Sequence, residues 1–75
     1  MNYGMLWFDN DPKTELPNKV EKAAAYYRKK YGISPTLCYV NPQMISKKKL
    51  IAGDVEIKAS ATILPHHFWI GASAK

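Results

Sequence analysis

The sequence contains little cysteine, few acidic side chains and no long apolar run. Cys38 is the only cysteine among 75 residues, so an internal disulfide and the usual cysteine-rich zinc sites are excluded. No stretch approaches the roughly 18 consecutive apolar residues that indicate a transmembrane helix, and the first residues lack the basic and apolar segments of a secretory signal. These absences predict a cytoplasmic protein that does not enter a membrane.

The short length predicts a single domain, residues 1–75, with a small core. A chain of about 60 residues buries only about 60% of the surface that it exposes when unfolded. Because neither disulfides nor a cysteine-based metal site supplements this core, oligomerisation is the usual remaining source of stability. We therefore expect a homo-oligomer, most simply a homodimer, with a well-packed monomer as the alternative.

The charge balance is basic, with 11 Lys and Arg against 6 Asp and Glu and a formal net charge of +5. Such a balance favours acidic partners, of which nucleic acids are the commonest. A solvated surface is the alternative role for these side chains. The bases concentrate in two clusters, which are candidates for one phosphate-binding patch: Arg28, Lys29 and Lys30, and Lys47, Lys48 and Lys49.

Apolar periodicity predicts one substantial helix and four strands. Apolar residues recur on one face between Leu16 and Tyr31 at about 3.6 residues per turn, and Gly32 is a typical stop. The run YGMLWF is typical of a strand that is buried on both sides. Strands are predicted at 3–8, 36–40, 54–59 and about 67–71, with a short helical turn from Asn41-Pro42 and an exposed connection at 47–49.

These elements predict an α+β fold, β-α-β-(short α)-β-β, in which a four-stranded mixed sheet carries the main helix on one face. The first two strands should be parallel, because a helix connects them. One helix covers only one face of a sheet, so the other face needs a partner, a ligand or overlying loops. The candidate residues for that interaction surface are Tyr3, Met5, Trp7, Tyr39 and Trp69.

An acidic segment, Asp9-Asn10-Asp11, directly follows the first strand. Haloacid-dehalogenase-like phosphatases begin with a similar pattern, in which one aspartate is the nucleophile and another binds magnesium. The chain lacks the further lysine and acidic motifs of those enzymes. Ordinary turn chemistry explains the segment as well, and a weak magnesium site at Asp9 and Asp11 is the alternative.

Two adjacent histidines, His66 and His67, lie in the segment LPHHFWIG. In a strand they would point to opposite faces, which disfavours a shared metal ion. A metal site would need a further ligand, such as Asp54 or Asp9, that the fold brings near. Either histidine could titrate near neutral pH as a general base, but no nucleophile is marked for it. A turn with one packed and one exposed histidine is the alternative, and Cys38 should be a small buried residue of the second strand.

The segments AAAYYRKKYG, TLCYVNPQM and LPHHFWIG resemble those of short bacterial proteins of unknown function, and the resemblance covers most of the chain. It implies a small bacterial protein that stands alone. No activity, cofactor or partner follows from it.

Three functional hypotheses follow from the sequence. The first is a non-enzymatic binding or interaction module without a cofactor, which self-associates through an aromatic-rich sheet face or binds an unknown protein partner. The alternative is nucleic-acid binding through the two basic clusters. The third is a metal- or phosphate-dependent site, for which the candidate residues are Asp9, Asp11, His66 and His67.

Overall fold

The computed structural model describes residues 3–45 and 49–72. Within these residues the chain forms one α-helix and one sheet of five strands, which confirms the α+β class and adds one strand to the four predicted. The elements in chain order are β1 (Tyr3–Phe8), α1 (Leu16–Tyr31), β2 (Leu37–Val40), a 3-10 turn (Pro42–Met44), β3 (Lys49–Ala52), β4 (Val55–Ala59) and β5 (His67–Ala72).

The additional strand is β3, which begins at Lys49. The sequence predicted an exposed connection at 47–49. Strand β3 forms a hairpin with β4, in which Ala52 pairs with Val55 across the turn Gly53-Asp54. Gly53 has a φ of +61°, and a residue with positive φ is what a tight two-residue hairpin turn requires at its first central position. Lys47 and Lys48 lie outside the described residues.

The strands are arranged in the order β1-β5-β2-β4-β3. The β2–β4 pair is parallel, and the other three pairs are antiparallel. Because β1 and β2 are both antiparallel to β5, they run in the same direction, as the strand–helix–strand pattern predicted. They are not neighbours, however, since the last strand of the chain lies between them.

Helix α1 buries one side and exposes the other. Pro17 lies in its first turn, where a missing backbone N–H has no cost. Gly32 ends the helix in the left-handed conformation with a φ of +75°, and its N–H donates to the carbonyl oxygen of Arg28 at 2.8 Å. The helix has 16 residues, and in the described ranges no helix is long and apolar enough to cross a membrane.

The core lies between α1 and one face of the sheet. The side chains of Val20 and Tyr27 meet alternate residues of the central strands, because successive strand residues point to opposite faces. Cys38 is fully buried there, as predicted. Burying a large apolar side chain contributes about 1.5–3 kcal/mol, so the fully buried strand residues hold the two layers together: Cys38, Val40, Ile57, Phe68 and Ile70.

Substitution of Gly32 by alanine should destabilise the protein by about 1 kcal/mol, because the side chain would have to adopt a left-handed conformation. Asparagine tolerates this conformation better, so Gly32→Asn is the matched control and should cost less. Urea denaturation would measure both variants. An alanine variant as stable as the native protein would contradict this account of the helix end.

Candidate binding surface on the open sheet face

The sheet face opposite α1 has no cover among the described residues. Alternation and strand register identify its side chains, since residues that are paired across strands point to the same side. We call this surface the open face. Its members are Leu6 and Phe8 on β1, His67 and Trp69 on β5, Leu37 and Tyr39 on β2, Glu56 and Lys58 on β4, and Ile51 on β3.

One line of residues crosses the middle of the open face. The register pairs Leu6 with Trp69, Trp69 with Tyr39, and Tyr39 with Lys58. We call these four residues the central row. The backbone position next to Lys58 on β3 is Lys49. Neighbouring strands are about 4.8 Å apart, so the four positions span about 14 Å. The row is apolar and aromatic at one end and basic at the other.

The aromatic part of the open face contains two ring pairs. Tyr39 and Trp69 have ring centroids 5.7 Å apart with their planes at 46°. Phe8 and His67 have centroids 5.0 Å apart at 56°. These tilted arrangements are favourable for aromatic side chains. They place four rings on three neighbouring strands, on the side of the sheet away from the helix.

The indole of Trp69 occupies the space beside a glycine on the neighbouring strand. The indole lies over Gly4, and a Cβ atom at position 4 would overlap the ring. Gly4 is paired with Gly71 on β5, so two positions without side chains lie next to each other beside the indole. The orientation of Trp69 therefore depends on glycine at position 4.

The edges of the open face expose large apolar side chains. Leu6 is 62% exposed, Phe8 57% and Ile51 67%. Leu6 and Phe8 lie together on β1, and exposed apolar groups that adjoin one another often belong to a binding site, whereas Ile51 lies on the opposite edge strand. Glu56 is the acidic side chain of this face, and its Oε1 lies 3.9 Å from Nζ of Lys58.

Only some of the residues predicted for the interaction surface lie on the open face. Tyr39 and Trp69 lie on the open face. Met5 and Trp7 lie on the opposite face, where Met5 is buried and Trp7 packs 5.2 Å from the ring of Tyr26 on the helix. The backbone of Tyr3 pairs with Ala72, in register with this covered set.

Alternate side chains of β1 form two sets, one with Met5 and Trp7 and one with Leu6 and Phe8. The sequence could not decide which set faces the helix. Both sets contain large apolar residues, so hydrophobicity alone does not distinguish them. Leu6 and Phe8 were therefore missed as surface residues. Gly4 alternates with Leu6 and Phe8, and a glycine inside a strand is a signal of a close contact on that side.

The predicted basic patch lies only partly within the described residues, because Lys47 and Lys48 fall outside them, so a single patch stays a prediction. Arg28, Lys29 and Lys30 are exposed in the last turn of α1, and Arg28 lines a cleft of 240 Å³ together with Gly53 and Asp54 at one end of β3. Lys49 begins β3 at its other end and pairs with Lys58. Lys58 was not among the predicted basic residues, but it lies on the open face beside Tyr39.

The acidic segment after β1 is organised as a turn. Asp9 Oδ1 accepts the backbone N–H of Asp11 at 3.0 Å, and Asp11 Oδ1 accepts that of Lys13 at 2.9 Å. Asp11 Oδ2 accepts the Thr14 hydroxyl at 2.7 Å. The backbone N–H of Lys13 and then the Thr14 hydroxyl lower the pKa of Asp11, because both stabilise the charged carboxylate.

The buried Lys19 connects this turn to the helix. Its Nζ lies 4.0 Å from Asp9 Oδ1 and donates to the Asp9 carbonyl oxygen at 3.4 Å. Both carboxylates of the segment therefore have partners within the protein, as the turn interpretation predicted.

The two histidines lie where the acidic turn meets the start of β5. The backbone N–H of Asp9 donates to the carbonyl oxygen of His66 at 3.0 Å, so the two segments are neighbours. His66 is exposed and has a φ of +66°. Among residues 3–45 and 49–72, no three His, Cys, Asp or Glu side chains lie together as metal ligands.

The ring of His67 on the open face has one hydrogen-bond partner among the described residues. Its Nδ1 lies 3.0 Å from the Pro65 carbonyl oxygen. A carbonyl oxygen only accepts hydrogen bonds, so Nδ1 carries the hydrogen and Nε2 carries the lone pair of the neutral ring.

The aromatic side chains of the open face lie outside the core under the helix. Packing of the core therefore does not account for their presence. Comparison with protein-family models, with curated proteins and with solved structures gives no match to this chain. Its function is therefore inferred from the residues of this surface.

Substitution of Gly4 by alanine should destabilise the protein by about 1–3 kcal/mol, because the new methyl group would displace the Trp69 indole. The same substitution in a Trp69→Leu background should cost less, since the overlapping ring is absent. Chemical denaturation of the four proteins in this cycle would measure the difference. An equal cost in both backgrounds would show that Gly4 matters for another reason.

Cys38 should be unreactive while the protein is folded. Burial raises the pKa of its thiol to about 12, so almost no thiolate forms at mildly alkaline pH. A thiol-specific chromogenic reagent should therefore label the native protein slowly and the urea-unfolded protein at once. Rapid labelling of the native protein would mean that β2 opens readily.

Proposed function

We propose that this chain is a small non-enzymatic binding module and that its open face binds single-stranded nucleic acid. The central row carries the proposal. Proteins that bind single strands without sequence preference combine aromatic side chains, on which bases stack, with positive charge along the backbone path. Leu6, Trp69, Tyr39 and Lys58 supply apolar, aromatic and basic groups in that order across four strands.

The spacing of the rings suits consecutive bases. The centroids of Trp69 and Tyr39 are 5.7 Å apart on adjacent strands, so two neighbouring bases of one strand can each contact one ring. Phe8 offers a further exposed ring beside His67. Every base has an aromatic face, so such a platform accepts many sequences, and each stacked base contributes about 1–3 kcal/mol.

The charge of the chain complements a polyanion. The formal net charge is +5, and Lys58 lies beside Tyr39 in the central row. A phosphate next to a base on Tyr39 would therefore lie near Lys58, and the strand could continue toward the position of Lys49. The phosphate path thus follows the open face rather than the basic cluster at the end of α1.

A second candidate function is self-association by stacking of two open faces, which the exposure of Leu6 and Ile51 favours. Stacking would bring Lys58 and the charge of +5 of one chain directly against those of another. Charge therefore favours nucleic acid as the ligand of this face.

Substitution of Lys58 by glutamine should weaken binding of a fluorescent oligothymidine or oligouridine and reduce the salt dependence, by about 0.7 in the slope of log affinity against log salt. Lys22→Gln is the matched control, because it removes the same charge from the exposed side of α1. Trp69→Leu should reduce the binding free energy by about 1–3 kcal/mol. Fluorescence anisotropy over a salt series would measure all three variants.

Two results would contradict the proposal. One is the absence of binding to either oligonucleotide at low salt. The other is an equal loss in the Lys58→Gln and Lys22→Gln variants, which would indicate a diffuse effect of charge. Tyr39→Leu tests the stacking surface a second time in case Trp69→Leu alters the fold, and circular dichroism of each variant would check that the fold is retained.

A further inference from the structure

The two edge strands of the sheet differ in how they are protected from pairing with another chain. Within the described residues, β1 and β3 each pair on one side only. Natural sheets protect such edges with short strands, charged residues, proline or bulges. β3 has four residues and begins with the last member of a lysine triplet. It therefore carries two of these protections.

β1 carries none of these protections. Its six residues, YGMLWF, include no charged residue and no proline. All six are paired with β5 in an unbroken register, so no bulge turns the edge away. Its outer backbone groups form a regular ladder of donors and acceptors about 20 Å long. The side chains beside this ladder on the open face, Leu6 and Phe8, are 62% and 57% exposed.

We propose that β1 pairs in antiparallel orientation with β1 of a second copy of this chain. Two sheets of five strands would then form one continuous sheet of ten. A second copy is the fitting occupant because antiparallel pairing of identical strands about a two-fold axis is self-complementary. The join needs no charged side chain in β1 to be buried, since the strand has none.

The alternation of β1 supports this pairing. A two-fold axis perpendicular to the sheet keeps the faces of both copies aligned, so Leu6 and Phe8 of each copy meet on the open side. Met5 and Trp7 of each copy meet on the side of the helices. Both layers of the fold thus continue across the join, and the two central rows lie end to end. Pairing at the outer edge of β1 shares Leu6 with the proposed nucleic-acid site, but it does not depend on nucleic-acid binding.

Two matched lysine substitutions distinguish this dimer from one made by stacking open faces. Leu6 and Ile51 are both exposed apolar residues of the open face, at 62% and 67%, but they lie on opposite edge strands. Leu6→Lys places a charge at the proposed join, and Ile51→Lys places the same charge at the other edge. Sedimentation equilibrium of the native protein and both variants, without nucleic acid and up to millimolar concentration, would give their molar masses.

The expected result is a native protein that dimerises reversibly, a Leu6→Lys variant that stays monomeric, and an Ile51→Lys variant that dimerises like the native protein. Loss of the dimer in both variants would indicate face stacking and overturn the inference. A native protein that is monomeric throughout, or a Leu6→Lys variant that still dimerises, would also overturn it. None of these results bears on oligonucleotide binding, which is measured separately.

Amide hydrogen exchange gives a second readout that needs no variant. Alternate amides of β1 face β5 and the others face outward, as in any antiparallel edge strand. Edge pairing should slow exchange of the outward set as protein concentration rises. Outward amides that exchange rapidly at a concentration where the dimer predominates would overturn the inference.

Discussion

One helix covers one face of a sheet that carries large apolar side chains on both faces. Most features of this protein follow from the fact that the second face is left without a helix in the described residues. Val20, Ala23 and Tyr27 close the core on the covered side. Residues 3–45 and 49–72 include no second α-helix for the other side, so that side keeps large apolar and aromatic groups at its surface. The open face is thus a consequence of size and patterning together, and the proposed function rests on it.

The position of β5 determines what the open face looks like. The last strand lies between β1 and β2, so Trp69 has Leu6 on one side and Tyr39 on the other. Without this insertion, the aromatic residues of three separate segments would not form one surface. Gly4 completes the arrangement, since only a residue without a side chain leaves room for the indole. Among the described residues, the same topology puts the uncharged β1 at an edge of the sheet.

The residues that first suggested chemistry have structural roles in this fold. Asp9 and Asp11 accept hydrogen bonds from the turn that leads into α1, and Lys19 holds that turn against the helix. His67 contacts Phe8 as part of the aromatic surface. Nδ1 of His67 donates to the Pro65 carbonyl oxygen, which fixes the ring beside Phe8. The proposed function therefore rests on the open face rather than on these residues.

The sequence by itself determined the α+β class, the extent of α1 and its stop at Gly32, and the burial of Cys38, because these depend on local periodicity and on the conformational limits of single residues. It predicted the turn at Asp9 and Asp11 for the same reason. Only the tertiary structure decided which side of β1 faces the helix, where β5 inserts, and that Lys58 joins the aromatic residues. These features depend on pairing between segments distant in the chain, and the two apolar sides of β1 are too similar for hydrophobic patterning to rank them.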